Sequence, residues 1–302
     1  MIRIGSRGSE LARWQANHIA DALRSKGHEV TIEIIRTTGD RLQEVTFGEV
    51  GTKGMFTKEI EEALLEGRID IAVHSLKDLP TELALEFALA AIPQRADPSD
   101  ALVSLEYASF FDLPAGAKVG SSSPRRQTQL HALRPDLEYI EFRGNVDTRL
   151  RKLAEGQAQA IILAASGLDR LGRTEWVRQR FDPEHLCPAA GQGALAIECR
   201  ADDAATQPAL AFLDHADTRF AVTAERAALN ALGGGCQVPI GMYCRREGES
   251  FRINGVVASL EAEGRVAATT TGHDPEQLGR DIAAVLLKNG AESILFASKQ
   301  KS

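Results

Sequence analysis

Residues 2–5, with Ile2 and Ile4 alternating with Arg3, read as a short strand and are followed by Ala12, Ala16, Ile19 and Leu23 at spacings of three and four, so the chain opens strand, turn, amphipathic helix. Residues 29–36 have the β-branched density of a strand, residues 57–65 a helical spacing, and residues 69–73 are short and apolar enough for a parallel strand buried on both faces. The same grammar returns with a strand at 118–120, a helix at 124–133, a strand at 137–140, a helix at 145–153 and a strand at 158–163. The repetition is visible in letters. Leu64-Leu-Glu-Gly67 precedes one apolar strand and Leu153-Ala-Glu-Gly156 the other, while Ile4-Gly-Ser6 and Val119-Gly-Ser121 each end a strand and lead into a helix. The pattern predicts two similar α/β units.

Beyond a further apolar strand at 194–199 the texture changes. A helix at 218–232 leads to strands at 238–244, 251–260 and 266–271, with Glu247-Gly and Glu263-Gly as turns, and a helix at 275–287 is stopped by Asn289-Gly290. This predicts a C-terminal α+β domain with a three-stranded antiparallel sheet. The expected domains are 1–94 plus 194–213, then 98–190, then 216–302.

A chain of 302 residues, 43% hydrophobic and 25% charged, has enough apolar material for two or three such domains. Its apolar stretches, such as 161–165, are too short to span a bilayer, and the start is charged by Arg3 with no apolar leader, so a cytoplasmic location is expected. Cysteines at 187, 199, 236 and 244 form no Cys-x-x-Cys pair and the histidines no His-Glu-x-x-His cluster, so reduced thiols and no protein-ligated metal are expected. A net charge of −7 argues against nucleic acid or an anionic membrane as partner. Between Ser121 and Lys152, however, seven basic residues outnumber four acidic ones, which points to small anions.

The two strand-to-helix turns carry the strongest physical signal, because a helix start offers unpaired N–H donors and the positive end of the helix dipole. Ser9 is placed to cap the first helix, with Arg7 adding charge; Ser121, Ser122 and Ser123 are candidate caps for the second, where Arg125 and Arg126 follow Pro124 at the first helical position. Either turn alone is better explained as plain capping with solvated arginines; two together favour a ligand. Arg143 and Arg149 bracket the start of another helix and suit bidentate recognition of carboxylates. Residues 74–78, His-Ser-Leu-Lys-Asp, lie past the strand at 69–73, where open α/β sheets bind ligands, although a structural histidine and a surface Lys77–Asp78 pair explain them as well. Residues 40–55 are long, polar and glycine-bearing, so a mobile lid is expected, but no P-loop or Gly-x-Gly-x-x-Gly signature supports ATP or NAD. Cys236 sits in a loop after three glycines, where a thiol is reachable.

Gly5-Ser-Arg-Gly-Ser9, Lys53-Gly-Met-Phe-Thr-Lys-Glu59, Val73-His-Ser-Leu-Lys-Asp-Leu-Pro80, Arg143-Gly-Asn-Val-Asp-Thr-Arg149, Ala189-Ala-Gly-Gln-Gly-Ala194 and Gly233-Gly-Gly-Cys-Gln-Val-Pro-Ile-Gly241 are specific in combination. Through them the chain resembles the porphobilinogen deaminases, or hydroxymethylbilane synthases, from Ile2 into the third domain. The resemblance implies two α/β domains like those of type-II periplasmic binding proteins and a third that carries a covalent dipyrromethane cofactor. It implies a deaminating transferase of tetrapyrrole biosynthesis, which joins four porphobilinogen units with loss of ammonia and releases hydroxymethylbilane. By residue matching, Cys236 is the thioether anchor and Asp78 the essential carboxylate. Lys77, Ser121, Arg125, Arg126 and Arg143, with Asp78, match cofactor-binding positions; Arg7, Ser9, Gln15, Lys53, Phe56, Arg149 and Arg170 match substrate-binding ones. A monomer that passes its product to uroporphyrinogen-III synthase is further implied. Pro124 and Gly233 depart from the residues usual in the family, leucine and an acidic residue. Two rival readings are a two-lobed module that binds or senses anionic solutes and a cysteine amidohydrolase with Cys236 as nucleophile.

Overall fold

The computed structural model describes residues 1–41, 57–233, 239–259 and 264–299. The chain divides into two compact units, Met1–Arg95 with Ala194–Arg219, and Ala96–Gly193 with Phe220–Ser302.

The first unit is built on β1 (Ile2–Ser6), β2 (Val30–Ile34), β3 (Ile71–Ser75), β4 (Phe87–Ala91) and the late strand β10 (Leu195–Arg200), in the order β2-β1-β3-β10-β4. β1 runs parallel to β2 and β3, whereas β10 runs antiparallel to both β3 and β4. The second unit repeats this plan with β5 (Asp100–Val103), β6 (Lys118–Gly120), β7 (Glu138–Ile140), β8 (Ala160–Ala164) and β9 (Val177–Arg180), in the order β7-β6-β8-β5-β9. Here β6 is parallel to β7 and β8, and β5 is the antiparallel strand inserted between β8 and β9. The repetition seen in letters therefore extends to topology. The second unit also holds the antiparallel meander of β11 (Ile240–Glu247), β12 (Ser250–Ser259) and β13 (Gly264–Gly272). This is the α/β class with a C-terminal three-stranded antiparallel sheet expected from the pattern.

The helices are α1 (Glu10–Ser25), α2 (Thr38–Arg41), α3 (Lys58–Leu65), α4 (Pro124–Leu133), α5 (Val146–Ala154), α6 (Ala165–Arg170), α7 (Thr206–Leu210), α8 (Ala216–Ala231), α9 (Pro275–Leu286) and α10 (Glu292–Lys299). Strand side chains alternate between faces, so the all-apolar strands feed two helical layers. Ile71 and Val73 pack with Ala16, Ile19 and Leu23 of α1, while Ala72, between them, packs with Ile60, Ala63 and Leu64 of α3. In the second unit Ile162 joins Leu130 of α4, and Ile161 and Leu163 join Leu150 and Leu153 of α5. Each fully buried Ile or Leu contributes about 1.5–3 kcal/mol. The third sheet buries Ile240, Met242, Ile253 and Val257 under α8, α9 and Ile294 of α10.

Three local outcomes differ from, or add to, the sequence pattern. The strand expected at 69–73 runs instead from Ile71 to Ser75, because Ser75 and His74 pair with Leu195 and Ala196 of β10. The short strands β4, β5 and β9 were not signalled. Gly233 adopts a φ of 61° just past α8, a left-handed C-terminal cap that an acidic residue occupies less readily. The expected lid at 40–55 lies, beyond Arg41, outside the described residues, as do Lys53, Phe56 and Cys236.

Candidate functional site

In the first unit the candidates gather at the carboxyl ends of the parallel strands β1 and β3, where ligands bind in open α/β sheets. Ser9 caps α1, its Oγ accepting from the Ala12 amide at 3.3 Å, and Arg7 and Ser9 are both half-buried. Gln15, one buried polar position on the inner face of α1, donates from Nε2 to Ser75 Oγ at 2.9 Å. Beyond Ser75 the chain turns through a single 3₁₀ turn, Leu76–Asp78. The Leu76 amide donates to Ala194 O at 3.0 Å, Leu76 is buried, Lys77 is half-buried and Asp78 is exposed. Gln15 and the turn that carries Asp78 thus meet at one strand end, Gln15 on Ser75 and the turn beginning at the next residue.

In the second unit the corresponding edge holds the serine turn. Ser121 Oγ accepts from the Ser123 amide, Ser122 Oγ from the Phe142 amide at 2.9 Å, and Ser123 Oγ from the Arg126 amide as the cap of α4. Each hydroxyl keeps its own hydrogen for another acceptor. The strand end must be glycine: a Cβ on Gly120 would sit 2.6 Å from the Phe142 ring and 2.9 Å from Ile161. Pro124 occupies the first turn of α4, where its missing N–H costs nothing.

Arg125 and Arg126, expected to grip a ligand, are buried and bound to a carboxylate of the chain itself. Asp100, the first residue of β5 and fully buried, accepts from Arg125 Nη1 at 2.8 Å through Oδ2 and from Arg126 Nε and Nη2 at 2.9 and 2.7 Å through Oδ1. Gln192 adds a further donor to Oδ1 at 2.9 Å. Burial opposes the charge on Asp100, but the two guanidinium groups outweigh it and hold the carboxyl far below the usual range. The trio keeps one net positive charge.

Arg143 and Arg149 separate in kind. Arg143 is exposed and pairs with Glu141 two residues earlier. Arg149 is half-buried on α5, donates from Nε to Gly144 O at 2.7 Å, and has no carboxylate partner among the described residues. Burial, with repulsion from Arg126 and Arg143, pushes its pKa down to about 10. Arg170, on α6, donates to Gly193 O at 2.7 Å, and burial lowers its pKa likewise to about 10. The second unit therefore presents a desolvated excess of cations, the electrostatic counterpart of an anionic ligand.

The three cysteines described, Cys187, Cys199 and Cys244, are buried, and burial pushes the Cys187 thiol up to about 12 and the Cys199 thiol to about 11. Neither Cys187 nor Cys199 has the lowered pKa of a nucleophile. Sequence reasoning missed Asp100, Gln192 and a second buried acid, Glu198.

Two family profiles match, "Porphobilinogen deaminase, dipyromethane cofactor binding domain" over residues 2–208 and "Porphobilinogen deaminase, C-terminal domain" over residues 219–288. The chain is 49% identical over 298 residues to a porphobilinogen deaminase of Nitratidesulfovibrio vulgaris, covering 97% of this chain and 95% of that one. The chain belongs to the porphobilinogen deaminase family. It is likewise 47% identical over 304 residues to the porphobilinogen deaminase of Geobacter sulfurreducens, covering 99% of this chain and 95% of that one. A putative methionine-binding lipoprotein of Bacillus subtilis is similar in structure over 70% of this chain and 89% of its own, at 12% identity and a TM-score of 0.44. Membership in the porphobilinogen deaminases brings the dipyrromethane-binding domain with it and leaves the amidohydrolase and solute-sensor readings without support.

Proposed function

We propose that this chain makes hydroxymethylbilane from four porphobilinogen units, releasing ammonia at each addition, with the dipyrromethane held by Cys236 through a thioether. Arg149 carries the reading: a half-buried guanidinium with no counter-ion among the described residues, beside Arg126 and Arg143, fits a ligand rich in carboxylate arms. When bound, the dipyrromethane supplies the free pyrrole carbon to which the next unit is joined. Arg149 and Arg170 hold carboxylate arms in the second unit, the Ser121, Ser122 and Ser123 hydroxyls donate to them, and the net charge left by Arg125, Arg126 and Asp100 adds a longer-range pull. Arg143 exchanges Glu141 for a ligand carboxylate. The first unit contributes Arg7, Ser9, Gln15, Lys53, Phe56 and Lys77 as binding positions of its own.

Asp78 has a different task. Loss of ammonia from an aminomethylpyrrole leaves positive charge on the ring, and a carboxylate already in place stabilises that charge more than it stabilises the neutral reactant. The three-domain division of the chain, a monomeric state, residence in the cytoplasm and hand-off of the product to uroporphyrinogen-III synthase complete the proposal. Intact mass of the purified full chain tests it. The chain should exceed its sequence mass by two porphobilinogen units less two ammonia, with the label on Cys236; a fully active preparation with no adduct sinks the assignment.

A further inference from the structure

Three anchors fix the strand end from which Asp78 departs: Gln15 on Ser75, Ala194 O on the Leu76 amide, and His74 on Glu198. The first two are neutral hydrogen bonds. The third joins two ionisable side chains in the interior, His74 Nε2 to Glu198 Oε2 at 2.9 Å, with side chains 6% and 0% exposed. Pairing explains how they meet: His74 lies opposite Ala196 and Glu198 opposite Ala72, so both side chains leave the same face of the sheet, the face that Ala72 presents to α3. Glu61 of α3 lies close by, its carboxyl pushed up in pKa by burial and by the Glu198 charge, with His74 acting in the opposite sense.

Glu198 is an expensive residue for that place. The other fully buried acids have both oxygens engaged, Asp100 by two arginines and a glutamine, and Glu225 by the amides of Gly191 and Cys244 at 2.7 and 2.8 Å. Oε1 of Glu198 is buried with no hydrogen-bond partner among the described residues. A pair of apolar side chains in that position is commonly as stable as, or more stable than, a buried charged pair, so stability alone is a poor reason for it.

We propose that His74 and Glu198 are positioning residues for the deaminase reaction: their directional bond sets the orientation of the last rungs of β3 and thereby the place of the Asp78 carboxylate. The inference rests on the catalytic reading of Asp78. An apolar pair has no preferred direction and leaves the strand end free to shift; displacement of a reacting group by about 1 Å costs on the order of a hundredfold in rate. The effect falls on kcat, because both side chains are buried in the interior, away from where substrate arms bind.

The test uses full-length protein whose dipyrromethane content has been verified by mass. His74→Phe with Glu198→Leu removes the bond and fills the space. This double variant is expected to keep its denaturation midpoint and its KM for porphobilinogen while kcat falls about tenfold or more. Glu198→Gln, whose amide oxygen still accepts from the imidazole, should stay within about threefold of wild type. Wild-type turnover in the double variant, a rise in KM with kcat kept, or a loss in Glu198→Gln as large as in Glu198→Leu would each overturn the proposal. If the double variant does not fold, the comparison of Glu198→Gln with Glu198→Leu decides alone. Asp78→Asn runs beside them: a wild-type rate there defeats the catalytic reading itself, whereas a slow Asp78→Asn with a fast double variant defeats only this inference.

Discussion

Asp100 and Arg126 meet through a single carboxylate oxygen, Oδ1, which accepts from both Nε and Nη2 of the guanidinium in the core of the second unit. With Arg125 on the other oxygen, the guanidinium bonds to this carboxylate are directed inward. What remains is one uncompensated positive charge among the three side chains, available to an anion as a field more than as a direct contact.

Asp100→Asn should therefore destabilise the protein by about 3–5 kcal/mol, since it leaves two buried guanidinium groups without a counter-charge. The folded carboxyl titrates far below its unfolded value, so its contribution is complete above about pH 4 and is lost as pH falls towards the folded value. Urea unfolding at neutral pH and at about pH 3 should accordingly show the gap between wild type and variant narrowing in acid. A gap independent of pH would mean that packing, not charge, is what the substitution removed.

Arg149 should behave in the opposite way. A guanidinium whose pKa is lowered to about 10 by burial costs stability as long as it stays charged, and the cost is relieved only as pH rises past that value. Arg149→Met is expected to stabilise cofactor-free protein on the order of 1–3 kcal/mol at neutral pH while preventing retention of the dipyrromethane. Denaturant midpoints and intact mass read the two effects separately. A variant both less stable and fully loaded would show that Arg149 is a structural residue.

Glu225→Gln addresses the join between residues 189–193 and the third sheet. Both carboxylate oxygens accept backbone hydrogens, from Gly191 and Cys244, so an amide must turn its NH2 towards one of these donors. A loss of about 1–3 kcal/mol is expected from the buried donor left unpaired. An unchanged midpoint in chemical denaturation would show that the segment adjusts freely, which the positive φ of Gly193 and the 2.6 Å that would separate a Cβ there from Ala96 O argue against.

The parts legible in the sequence are those set by neighbours a few residues apart. Ser9, Ser123 and Asn145 cap their helices by local bonds to amides three residues on, and the apolar strands announce themselves by composition. What stayed hidden depends on distant partners. Asp100 follows Pro98-Ser99, and nothing in its neighbours marks it as a core residue; Arg125, Arg126 and Gln192, distant in sequence, make it one. His74 reads as lying beyond its strand because the pairing that extends β3 comes from β10, some 120 residues later. The paired arginines were legible as a site for negative charge, but not the fact that the chain supplies part of that charge itself.

Asp78→Asn separates binding from chemistry. The side chain is exposed at the end of a 3₁₀ turn, and its shape is closely matched by asparagine, so the substitution removes charge with little change in packing. On the proposed role, in which the carboxylate acts on positive charge that exists only during reaction, the variant should retain porphobilinogen while ammonia release slows by about 10²–10³-fold. A single-turnover experiment on protein shown by mass to carry the dipyrromethane reads this directly, since both kcat and kcat/KM should fall together. Arginine variants that weaken the hold on carboxylate arms should instead raise KM or lose the cofactor. If Asp78→Asn released ammonia and extended the chain at the wild-type rate, the stabilising charge would have to come from another residue, and Glu61, a half-buried acid of α3 that feels His74 and Glu198, would be the next to test.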